Sequence, residues 1–177
     1  MFIEGLINDL SDICLSYLTK DEQIYVNNEW DRFDKNNVCD MAAKNGWLDL
    51  LKWATEKKYH WNNWTCSYAA ENGHLEVLKW ARQNGCDWDS MTCTYAASNG
   101  HLEVLKWARQ NGCDWDDYIC NFAALYGHLE VIKWARQFHS CEFSIDACYY
   151  AAYKGHLEVL KWIKDNGCKC QGRYHKD

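Results

Sequence analysis

Apolar and small residues return along this chain with a period of 27. Leu102, Val104, Leu105, Trp107 and Ala108 lie on one broad face of a helix. Leu75, Val77, Leu78, Trp80 and Ala81 precede them in the same arrangement, and Leu129, Val131, Ile132, Trp134 and Ala135 follow. Ahead of each run lies a shorter one: Cys93, Ala96 and Ala97 keep helical spacing in the middle copy. Gly100 ends the first run and Asn111-Gly112 the second, since glycine accepts the left-handed conformation that closes a helix. Cys113-Asp114-Trp115-Asp116 leads to the next copy. The pattern therefore predicts a unit of helix, tight turn, helix and loop. It recurs from Ala42, Ala69, Ala96, Ala123 and Ala151.

One such unit cannot bury its apolar face alone, so the copies must stack. The Ala-Ala pairs let successive helices approach closely. Trp53, Trp80, Trp107, Trp134 and Trp162 share one phase of the second helix and are expected to fill the space that remains. Function is then expected where the copies differ.

Composition narrows the classes. Of 177 residues, 48% are hydrophobic and 15% aromatic, enough for a large core and too many for a disordered chain. A net charge of −6 argues against nucleic acid as the main partner. The chain opens on Met1-Phe2-Ile3-Glu4, and nothing approaches 18 consecutive apolar residues. Neither a signal peptide nor a membrane span is therefore expected. A cytoplasmic or nuclear location follows as the expectation, and the 11 cysteines read as reduced thiols.

Those cysteines are periodic. Cys39, Cys66, Cys93, Cys120 and Cys148 share a phase of the first helix; Cys86, Cys113, Cys141 and Cys168 share one in the connector. Recurrence at the repeat period marks core positions, where a thiol packs as a small hydrophobe. No C-x-x-C pair is present, and Cys168-Lys169-Cys170 with His175 reads as a tail rather than a metal site. No nucleotide loop, metal pair or triad spacing is visible, so neither an enzyme nor a cofactor is expected.

The motif A-A-x-x-G-H-L-E-V-L-K, with G-C-D twelve residues after its glycine, resembles the ankyrin repeat from about Val38 to Cys168. The resemblance implies an all-α ankyrin-repeat solenoid of about five helix-turn-helix units with short connectors and a helical N-terminal cap. It also implies that His74, His101, His128 and His156 pack and hydrogen-bond within the stack. The family's usual unit has 33 residues and opens on Thr-Pro-Leu-His; here Met91-Thr92-Cys93-Thr94 stands in that place, and the projecting hairpins are shortened. The short, Trp- and Cys-rich unit further resembles ankyrin proteins of large amoeba-infecting DNA viruses, which implies the interior of a host cell.

Residues 1–35 form a separate helical module ahead of the repeats at 36–177. Leu6, Leu10, Ile13, Tyr17 and Leu18 make a helical apolar stripe. One reading is a cap over the first repeat, which arrays require. The other is a resemblance to the F-box, carried by Leu6-Ile7-Asn8-Asp9-Leu10 and Leu15-Ser16-Tyr17-Leu18. That reading implies contact of Leu6, Leu10, Leu15, Tyr17 and Leu18 with the linker subunit of a cullin ubiquitin ligase.

On the second helices, Lys79 and Arg82, Lys106 and Arg109, Lys133 and Arg136, and Lys161 and Lys164 make a basic row. Glu76, Glu103, Glu130 and Glu158 lie three residues before each first lysine, so a largely neutralised, solvated face is expected. The residues after each Ala-Ala pair vary most: Lys44-Asn45, Glu71-Asn72, Ser98-Asn99, Leu125-Tyr126 and Tyr153-Lys154. In the resembled family this edge helps form a concave binding face. Lys44, Glu71, Ser98, Leu125, Tyr126, Tyr149, Tyr153 and Lys154 are accordingly the candidate partner-binding residues, with the weight on the aromatic C-terminal copies. The expected function is non-catalytic protein binding on that face. The alternatives are an F-box-type substrate adaptor and a structural component of a virion or other assembly.

Overall fold

Each repeat folds as a pair of antiparallel helices because its own connector starts it and its own glycine turns it. The computed structural model describes Ser16 and residues 37–116, 118–138, 141 and 143–168. Five helical hairpins follow one another there: α1 (Val38–Asn45) and α2 (Leu48–Glu56), α3 (Asn63–Glu71) and α4 (Leu75–Gln83), α5 (Ser90–Ser98) and α6 (Leu102–Gln110), α7 (Ile119–Tyr126) and α8 (Leu129–Phe138), α9 (Ile145–Tyr153) and α10 (Leu157–Asp165). The fold is an all-helical solenoid. The proposed N-terminal module, apart from Ser16, lies outside the described residues.

The connectors supply N-caps. Asn62 accepts from the Trp64 amide at 2.8 Å, Asp89 from Met91 at 2.9 Å and Ser144 from Ala147 at 3.4 Å. Each satisfies an amide that the first helical turn leaves without an intrahelical partner. At the other end Gly100 takes φ +74°, and the His101 amide returns to the Ala96 carbonyl at 2.8 Å.

First helices pack side by side along the array, and each second helix packs on the first helix of its own repeat. Ala96 and Ala97 are fully buried, as are their equivalents Ala42, Ala43, Ala69, Ala70, Ala123 and Ala124. The deep core of the second helices is the column of Leu51, Leu78, Leu105 and Ile132.

The tryptophans fill a shallower layer than their period suggests. Trp53 is buried, but Trp80, Trp107, Trp134 and Trp162 are only half-buried. Trp107 stands two residues beyond Leu105, or ~200° further round the helix. Each of these rings packs instead on the aromatic that opens its own repeat. The centroid separations are 5.9 Å for Trp61–Trp80, 5.8 Å for Trp88–Trp107, 6.0 Å for Trp115–Trp134 and 5.7 Å for Phe143–Trp162.

The periodic cysteines are buried core residues, as expected, and all but Cys39 meet in pairs. The hairpin returns the chain beneath the start of its own first helix, so the first-helix thiol meets the connector thiol. Cys66 meets Cys86 and Cys93 meets Cys113, and Cys120 lies against Cys141 and Cys148 against Cys168 in the same way, with Cα separations of 6.4 and 7.4 Å.

Candidate protein-interaction face

The layer of first helices presents the varied residues, and their positions along the repeat decide their exposure. Lys44, Glu71, Ser98, Leu125 and Tyr153 form one column. Lys44 is exposed, whereas Glu71, Ser98 and Leu125 are half-buried. Ser98 also turns its hydroxyl back to the Thr94 carbonyl at 2.8 Å. In the adjacent column Asn45, Asn72 and Asn99 each donate a side-chain amide to the carbonyl four residues earlier, at 2.9, 2.9 and 3.0 Å. These asparagines finish their own helices. In that column Tyr126 projects, 52% exposed, and Lys154 lies over the Tyr153 ring at 5.7 Å.

Tyr126 is one of a row. Tyr118, at the N-cap of α7, and Phe122 and Tyr126 on that helix stand four residues apart and are 62%, 38% and 52% exposed. Side chains at that spacing share a helix face. Trp64 extends the aromatic surface across the earlier repeats, with ring centroids 6.0 Å from Tyr68 and 6.4 Å from Tyr95. Sequence reasoning missed Trp64, Tyr68, Tyr95, Tyr118 and Phe122. The signal was present: Tyr68, Tyr95, Phe122 and Tyr150 each immediately precede an Ala-Ala pair.

Tyr149 and Tyr153 belong to a different surface. Tyr149 stands in the column of Ser67, Thr94 and Asn121, which are buried in the stack; the Asn121 amide oxygen accepts from the Ser144 hydroxyl of the next repeat at 2.9 Å. Tyr149 is 37% exposed because no sixth repeat stands against it among the described residues. Ile145, Ala152, Tyr153 and Leu157 are exposed beside it for the same reason. Tyr149 and Tyr153 stack at 5.9 Å with an interplanar angle of 19°. The predicted residues thus divide between a lateral face, which holds Tyr126, and an end face, which holds Tyr149 and Tyr153.

The periodic histidines bind one repeat to the previous one. Nε2 of His74, His128 and His156 donates to the carbonyls of Lys44, Ser98 and Leu125, at 3.0, 2.8 and 3.1 Å. Each ring lies over the turn glycine of the preceding repeat, so a Cβ on Gly100 would meet His128 Nδ1 at 2.5 Å. Burial holds His74 and His128 below the ordinary imidazole range; the carbonyl bond opposes this, and neighbouring histidines add to it. Polar bonds also cross between first helices: Thr65 donates to Asp40 at 2.6 Å, and burial nevertheless raises the Asp40 carboxyl.

The free thiols of the described residues are all buried. Burial pushes Cys39 up to about 12, with Asp40 and Cys86 adding to it. The bonds that Cys66 and Cys93 make to Cys86 and Cys113, and then burial, raise both thiols. The same bonds lower Cys86 and Cys113 while burial opposes the shift, but a nucleophilic cysteine must also be reachable, and both of these are buried. Among the described residues no three His, Cys, Asp or Glu side chains are placed to hold a metal ion. No described helix is long and apolar enough to cross a membrane.

The basic row is largely neutralised at the surface, as expected, while Lys161 and Lys164 stay exposed. Lys79, Lys106 and Lys133 each pair with the glutamate three residues earlier at 2.7 Å. The arginines are also engaged, although Arg136 remains exposed. Arg82 stacks over Trp88 at 4.3 Å, Arg109 over Trp115 at 5.8 Å and Arg136 over Phe143 at 5.5 Å. Each also donates to the connector carbonyl, that of Cys86, Cys113 or Cys141.

Stacked helical hairpins that offer projecting side chains define a helical-repeat scaffold. A family model for ankyrin repeats in many copies matches residues 39–81 and again 66–109, and one for three ankyrin copies matches residues 93–173. The chain belongs to the ankyrin-repeat family. Among solved structures, the human ASB11 ankyrin repeat domain shares the fold at a TM-score of 0.60 and 17% identity, covering 73% of this chain and 68% of that one. No curated protein matches the chain.

Proposed function

We propose that this ankyrin-repeat chain is a non-catalytic scaffold that binds a partner protein through its layer of first helices. The observation that carries the reading is the exposed row of Tyr118, at the start of α7, with Phe122 and Tyr126 on it. Large aromatics held on a rigid helix lose little entropy on association and serve as interface anchors. Lys44, Glu71 and Ser98, with the apolar Leu125, form the margin of the same face, while Tyr149, Tyr153 and Lys154 offer a further contact at the end of the array. Replacing both Tyr118 and Tyr126 by Ala should leave the thermal midpoint close to wild type. The same change should weaken a purified partner's binding at least about tenfold, since anchor residues contribute about 2 kcal/mol or more each. Unchanged affinity would contradict the location.

The F-box resemblance of Leu6, Leu10, Leu15, Tyr17 and Leu18 supports a second reading, a substrate adaptor that docks on the linker subunit of a cullin ubiquitin ligase. Failure of the whole chain to retain that purified subunit removes it. The Trp- and Cys-rich unit supports a viral origin and a role inside the host cell, in the cytoplasm, the nucleus or a virion assembly.

A further inference from the structure

The internal arginines show what the first repeat lacks. At three successive junctions a guanidinium lies over the aromatic ring that opens the following repeat, and donates to the connector carbonyl beside it. The residues at these junctions are Arg82-Gln83, Arg109-Gln110 and Arg136-Gln137. At the junction between the first and second repeats the same two positions read Thr55-Glu56. The cation is gone, and a carboxylate has replaced the neutral amide.

The aromatic partner remains. Trp61 stands where Trp88 and Trp115 stand downstream, paired with Trp80 at 5.9 Å. Thr55 is too short to cover it and bonds to the Lys52 carbonyl at 2.8 Å instead. A groove of about 540 Å3 is left, lined by Lys52, Thr55, Glu56, Tyr59, Trp61, Trp80 and Asn84. Its one lysine is engaged by Asp49 at 3.2 Å. Glu56 is exposed at the groove, so a cation entering it finds an indole face and a carboxylate together. The carbonyl at the position of Cys86 and Cys113 is that of Tyr59.

We propose that this groove on the second-helix layer is a binding site for an arginine side chain of a partner protein. The occupant is argued from the molecule itself, since a guanidinium fills the equivalent place in three sister repeats. Arginine suits it because its flat, weakly hydrated cation stacks on an aromatic ring while its edges still donate hydrogen bonds. The proposal rests on the reading of the chain as a protein-binding scaffold, but not on where the main face lies.

The test uses the full chain and a small probe, Nα-acetyl-arginine amide, with its uncharged analogue Nα-acetyl-citrulline amide as control. Indole N–H signals of Trp61 and Trp80 are followed by NMR, assigned with Trp61→Phe and Trp80→Phe. Arginine should shift both signals saturably, and citrulline should bind roughly threefold more weakly or worse. Thr55→Arg should abolish the response, because the introduced guanidinium occupies the groove. Should that variant fail to fold, Glu56→Gln should weaken the response about twofold. Shifts that never saturate, equal responses to both probes, or responses unchanged in these variants would overturn the proposal. Tyr118 and Tyr126 belong to the fourth repeat and these indoles to the second, so the two readings fail separately.

Discussion

The third and fifth repeats share a sequence motif and differ in surroundings. In the third, Ala97 is fully buried, Leu102 is half-buried and Gly100 lies under the His128 ring. In the fifth, Ala152 is exposed, Leu157 is 71% exposed and Gly155 has nothing within 4 Å of where a Cβ would stand. Local structure is the same: the two glycines have φ +74° and +75°, and both histidine amides return to the first alanine of the pair at 2.8 Å. A repeat therefore writes its own hairpin, but the environment of its side chains is written by the repeat that follows. In a one-dimensional stack, burial is a property of junctions.

The largest expected difference lies at those glycines. Ala at either position pays the left-handed penalty of about 1 kcal/mol. At Gly100 the new methyl also meets the His128 ring, and overpacking adds about 2 kcal/mol more. Urea unfolding of Gly100→Ala and Gly155→Ala should show the middle variant clearly less stable. Equal losses would mean that the histidine contact carries no weight.

A smaller effect separates the histidines by pH. The folded pKa of His74 and His128 lies below the ordinary value of 6.5, so the unfolded chain binds more protons as pH falls below it. The stability linked to them is fully present above about pH 6.5 and is lost as pH falls through their folded values. Unfolding between pH 7 and 5 should therefore be flatter for a His74→Asn, His128→Asn variant than for wild type. A parallel pH dependence would remove the histidines from the account.

The hairpins were legible in the sequence because they rest on local signals: glycine at the turn, Asn or Asp at the connector and alanine pairs in helical phase. The Ala-Ala columns were legible for the same reason. The tryptophan depth was not, since period alone does not distinguish a column facing the partner helix from one ~200° away. Cysteine pairing was hidden because its partners are 20 or 21 residues apart and meet only once the hairpin closes. The candidate face was half-legible. Tyr126 was found at a variable position, but Tyr118 and Phe122 share its helix face and were passed over. Tyr149 was read as lateral because nothing in its own repeat reveals that its column normally meets a neighbour. The arginines read as surface charge for a similar reason: their aromatic partners lie in the next connector.

Residue-resolved hydrogen exchange of the whole chain tests most directly the claim that each repeat is stabilised by the one after it. Core amides of α5 and α6 should exchange slowest, and those of α10 should open at distinctly lower free energy. Uniform protection across α5 to α10, or stronger protection in α10 than in α6, would contradict the account.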